Sequence, residues 1–185
     1  MKNFNYQNEL KKIVENKQLV QVYFHDTPSD YSVAYLLSAD DDFITLAEIA
    51  NTAAFDGVTI RHMSDVDIIK PDTIYLNELM KQITDDSLYQ QAMKDVEGIE
   101  KFSFDGFISG LENTGTIVEI LSTNGDNFTG KITGYDDEVL ILEEYRSELP
   151  RTLSRAYIRL KVVAQISVDI PYLRIIARAL ADKSI

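Results

Sequence analysis

The sequence predicts a mainly β chain with flanking α-helices, arranged as two successive small five-stranded barrels. Three observations predict this class. Short stretches alternate apolar and polar residues at the period of a strand. They fall into two series with a helical segment between them. The two series can also be laid over one another. Alternation gives each strand one apolar side, and a small sheet that curls into a barrel buries that side without long open edges.

In chain order, Leu10, Ile13 and Val14 lie at helical spacing, so Asn3 to Asn16 reads as an amphipathic helix. Val20, Val22 and Phe24 then alternate with Gln21, Tyr23 and His25, which marks a strand. Thr27 to Asp30 is a turn cluster. Further strands are expected over Ser32–Leu37, Phe43–Ile49, Val58–His62 and Val66–Ile69, the last stopping at Pro71. Tyr75, Leu76, Leu79, Met80 and Ile83 return to helical spacing, and Tyr89, Met93 and Val96 continue it. Phe102, Phe104 and Phe107 read as a strand or as filling for a barrel mouth, and Asn113–Gly115 as a turn. The second series covers Thr116–Leu121, Phe128–Thr133, Val139–Glu143, Tyr157–Val163 and Gln165–Asp169. Pro171 opens a final helix. The expected organisation is 1–71 for the first helix and barrel, 72–97 for a helical connector, and 98–185 for the second barrel and last helix.

A shift of 96 residues places Val22 on Val118, Phe24 on Ile120, Leu36 on Ile132, Asp40 on Asp136, Ile44 on Leu140 and Leu46 on Leu142. A shift of 100 pairs Val58 with Ile158, Ile60 with Leu160 and Val66 with Ile166. Gly130 and Gly134 would relieve crowding where the second sheet bends, and Ala34 stands at the place of Gly130.

Three stretches of the second series, Thr116 to Gly125, Phe128 to Asp137 and Val139 to Leu142, resemble the first motif of Sm-like and Hfq-like proteins, a group of SH3-like small barrels. The best part is Gly134–Tyr135–Asp136, and Tyr157 to Val168 stands where the second motif would be. The resemblance implies tandem Sm-like or SH3-like barrels and an association with RNA. The sequence departs from the family's RNA-binding pattern at Asp137–Glu138 and Asp41–Asp42, so no base-binding residue carries over.

Composition narrows the chemistry. The 18 Lys and Arg against 30 Asp and Glu leave a net charge of −12, which disfavours non-specific binding to phosphate backbones. With no Cys, disulfides, thiolate nucleophiles and cysteine-held metals are excluded. No apolar run of membrane-spanning length follows the N-terminal Met1–Asn3, so the expectation is a cytoplasmic protein with no membrane partner. His25 and His62 lack the spacing of a metal site, and the acidic turns Asp40–Asp42 and Asp136–Glu138 suit local backbone capping better than acid–base chemistry. No catalytic residue, metal or cofactor is expected.

The strongest candidate contact residues are Tyr145, Arg146, Arg151, Arg155, Tyr157, Arg159 and Lys161, where basic side chains and Tyr interleave. Glu143, Glu144 and Glu148 oppose their field. The leading expectation is a nonenzymatic protein-binding or scaffold module with a protein partner or a homodimer. The alternative is an Sm-like RNA-binding or RNA-associated regulator.

Overall fold

Each strand series folds into an antiparallel sheet, and in the computed structural model the chain divides into two units, residues 1–96 and 97–185. The structure describes residues 5–25, 30–83, 87–96, 99, 103–146 and 149–181, without the side chains of 95, 146 and 149–153. The chain is mainly β with flanking helices. Most of the Thr27–Asp30 turn, Asp85, Asp86, Phe102 and Glu148 lie outside the described residues.

The first unit opens with α1 (Tyr6–Glu15), whose N-terminus is capped by the Asn5 side chain accepting from the Asn8 amide at 3.1 Å. Strands β1 (Leu19–Phe24), β2 (Ser32–Ala39), β3 (Phe43–Ile49), β4 (Phe55–His62) and β5 (Val66–Pro71) pair in the order β5-β1-β2-β3-β4. One face carries Val20, Val22, Phe24, Ala34, Leu36, Ile44 and Leu46 into a core completed by Leu10 of α1. Arg61 also lies buried, its guanidinium 3.9 Å from the Phe24 ring centroid. Such a stack lets a cation sit over the negative face of an aromatic ring. Helices α2 (Ile74–Met80) and α3 (Ser87–Asp95) follow.

The second unit repeats the plan with α4 (Phe104–Thr114), β6 (Ile117–Ser122), β7 (Asn127–Tyr135), β8 (Val139–Arg146), β9 (Leu149–Arg159), β10 (Val163–Val168) and α5 (Pro171–Ala181). Its strand order, β10-β6-β7-β8-β9, is that of the first unit. A 3-10 turn joins the fourth strand to the fifth in both, Met63–Asp65 in one and Leu160–Val162 in the other. Val118, Ile120, Ile132, Leu140, Leu142 and Ile158 are buried on one face of this sheet. Phe107, Ile108 and Leu111 of α4 are buried too, and α4 lies against β7.

Three expectations are corrected. Within each unit the ladders run in open order and do not close into a barrel. The edge chemistry explains this in the first unit. Strand β5 exposes Asp67, Ile68 and Lys70 and ends on Pro71, which has no N–H to give a second neighbour. Second, the Phe104–Phe107 region is helix α4 rather than a strand. Ser103 caps it, accepting from the Gly106 amide at 3.1 Å, and Gly115 ends it with φ of 62°. Third, the 100-residue shift fails in the fourth strand. Ile44 opposes Arg61 and Leu140 opposes Ile158, so Arg61 corresponds to Ile158 at an offset of 97. Leu160 lies in the 3-10 turn. The offset of 100 holds from Val66 to Ile166, which oppose Phe24 and Ile120. The extra residues therefore enter after the turn, where β10 has an irregular register between Val163 and Gln165.

Candidate binding surface

The β8–β9 ladder positions most of the sequence-predicted contact residues. Val139 opposes Arg159, Ile141 opposes Tyr157 and Glu143 opposes Arg155. Alternate residues of a strand share a face, so Arg155, Tyr157 and Arg159 form one row. All three are exposed, Tyr157 at 67%, while the intervening Ile158 is buried at 5%. At a rise of about 3.4 Å per residue the row is roughly 14 Å long. Beyond it the chain enters the 3-10 turn, where Lys161 is exposed. Among the described residues, β8 is the only strand neighbour of β9.

A cleft of about 300 Å³ lies at the end of this row, lined by Asp137, Glu138, Arg159, Leu160 and Lys161. The Leu160 amide donates to the Glu138 carbonyl at 2.7 Å and pins the 3-10 turn to the β7–β8 turn. Asp136 holds the latter turn by accepting from the amides of Glu138 at 2.9 Å and Val139 at 2.8 Å. These two hydrogen bonds favour the ionised carboxyl and lower its pKa. The acidic turn is thus a backbone cap. Asp40 does the same in the first unit, accepting from Asp42 and Phe43 at 2.8 and 2.7 Å.

The remaining predicted residues divide. Tyr145 is buried at 8%, so it does not join the exposed row. Burial first, and Glu143 second, raise the pKa of its phenol. Arg146 and Arg151 lie by backbone at the far end of the β8–β9 hairpin, and their side chains are outside the described residues. Among the acidic neighbours, Glu143 stands opposite both Lys131 and Arg155 and shares their face. Glu144 faces the other way, accepting from Ser154 Oγ at 2.6 Å. Among the described residues, Arg155, Arg159 and Lys161 form no ion pair within 4.0 Å.

Among the described residues the first unit has no such row. The 97-residue offset places Val58, Ile60 and His62 where Arg155, Tyr157 and Arg159 stand, and Val58 and Ile60 are buried. The histidines remain apart from any metal-like grouping. His25 Nε2 is 4.0 Å from Asp65, and the His62 ring packs 4.8 Å from that of Phe43. Among the described residues no three His, Asp or Glu side chains gather at metal-holding distance. Nor, among those residues, is any helix long and apolar enough to cross a membrane. No protein-family model and no curated protein matches the chain.

Proposed function

We propose that this protein is a nonenzymatic binding or scaffold module built from two Sm-like units, acting in the cytoplasm, and that the second unit engages a protein partner or a second copy along β9. The observation that carries the reading is the exposed Arg155–Tyr157–Arg159 row on a strand that, among the described residues, has a single strand neighbour. An incoming extended segment would gain main-chain hydrogen bonds from β9, while Tyr157 supplies an aromatic anchor and the arginines select acidic side chains. RNA is the second reading. It is favoured by the cleft at Arg159 and Lys161 beside an exposed Tyr, since a base can stack on Tyr while the cations meet phosphate. Asp137 and Glu138 line the same cleft and oppose phosphate, which places the protein partner first.

The test is affinity capture from cell extract with the wild-type chain and with an R155A/Y157A/R159A variant, each with and without ribonuclease. Sedimentation of the purified chain monitors self-association. Recovery of one specific protein, or a dimer, that survives ribonuclease and is lost in the variant supports the first reading. Salt-sensitive RNA recovery with no protein or dimer supports the second. Equal recovery by both chains removes β9 as the contact surface.

A further inference from the structure

The first unit holds a second candidate site of different chemistry. A cavity of about 470 Å³ opens where β2 begins and β3 ends, and its walls include Asp30, Glu48, Asp56, Tyr31 and Tyr75. Among the described residues lining it there is no Lys, Arg or His. Burial raises the pKa of Glu48, while hydrogen bonds from Thr59 and Ser32 and the charge of Arg61 favour its ionised form and fix its position.

The aromatic wall is an independent feature. Tyr23, Tyr31 and Tyr75 form a continuous row, with ring centroids 5.3 Å apart for the first pair and 6.0 Å for the second. One end of the row already binds a cation, because Lys70 Nζ lies 4.4 Å from the Tyr23 centroid. The other end, Tyr75, is 38% exposed beside the cavity. Carboxylates fix a positive charge, and ring faces add attraction that an inorganic ion with a full hydration shell uses poorly.

We infer that this cavity binds an organic cation, an alkylammonium or guanidinium group, with Glu48, Asp30 and Asp56 balancing the charge and Tyr31 and Tyr75 contacting the stem. The cation can be a free amine or the end of a Lys or Arg side chain. The described residues lining the cavity all belong to the first unit and the β9 row belongs to the second, so either proposal can fail without the other.

Amide NMR titration of the full chain tests it, using n-butylammonium and an extended Lys-containing peptide as probes and sodium chloride at matched ionic strength as control. The expected result is saturable shifts at Tyr31, Glu48, Asn51 and Asp56, with dissociation constants on the order of millimolar. Tighter binding of the peptide assigns the cation to a polypeptide side chain, and equal binding assigns it to a free amine. Both Glu48→Gln and the helix variant Tyr75→Leu should weaken binding at least about fivefold, which follows from losing one charge or one ring contact. Two separate variants, each with native shift dispersion elsewhere, guard against misfolding. Shifts that sodium chloride reproduces, or that survive both substitutions, overturn the inference.

Discussion

At the residue scale, Asp136 and Gly130 show how single positions set the second sheet. Asp136 is acceptor for two turn amides, and its folded pKa is lowered. A lowered carboxyl contributes stability that is present above its unfolded pKa and lost as pH falls through the folded value. Asp136→Ala should therefore lower the urea midpoint at about pH 7, with the difference from wild type shrinking below about pH 4, the range of an ordinary carboxyl. Paired urea titrations at the two pH values check this, and a pH-independent difference would contradict it. Gly130 faces a different constraint. A Cβ there would overlap the Glu143 carbonyl, which is backbone and cannot swing away. Gly130→Ala should cost about 1–3 kcal/mol, as overpacking does elsewhere. The corresponding Ala34 is fully buried with its own Cβ in place, so Ala34→Gly should not stabilise the first unit. Denaturant unfolding of both variants measures the contrast.

At the element scale, α4 is the part that periodicity alone misread. Three Phe residues within six positions suggested a strand, since aromatic residues favour strands. The helix signal was nevertheless present. Ser103 stands at the cap, Phe104, Phe107, Ile108 and Leu111 recur at spacings of three and four, and Gly115 sits just past the end. Ser103→Ala should destabilise the second unit by about 1 kcal/mol, the usual value of such a cap. A lower thermal midpoint with unchanged far-ultraviolet dichroism below the transition would agree, and an unchanged midpoint would not. Strand β9 shows the opposite case. Its basic and aromatic residues were legible, but their sides were not. The sequence gives no register for the hairpin before Tyr157, so buried Tyr145 and exposed Tyr157 looked alike.

At the scale of the whole molecule, the repeat runs further than the strand patterns suggest. Among the described residues each unit contains a helix, a residue of positive φ, five strands, a second such residue and a helix, with α3 added in the first unit. Lys17 and Gly115 hold the first of these positions at φ of 49° and 62°, and Asp72 and Asp169 the second at 58° and 52°. The bulge between Leu36 and Ser38 reappears between Ile132 and Gly134. Strand β2, buried at six consecutive positions, shows itself by its apolar content, and β6, which alternates half-buried and buried residues, was readable from its period. The offset in the fourth strand was not, because Arg61 occupies a buried place that Ile158 fills in the other unit. A polar residue in the core hides the match that hydrophobicity would reveal. Helix α4 precedes β6 as α1 precedes β1, which makes them counterparts, but the 96-residue shift of the strands that follow sets Leu10 against Gly106 and hides the match. Among the described residues the exposed row on β9 has no counterpart in the first unit, so the two units differ on this face.

Hydrogen–deuterium exchange of the purified chain, alone and with the captured partner or at dimer-forming concentration, tests the binding account most directly. The account predicts new protection on β9 between Ser154 and Arg159, with the Arg155, Tyr157 and Arg159 substitutions abolishing it. Protection confined to the helices, with β9 exchanging as in the free chain, would contradict it.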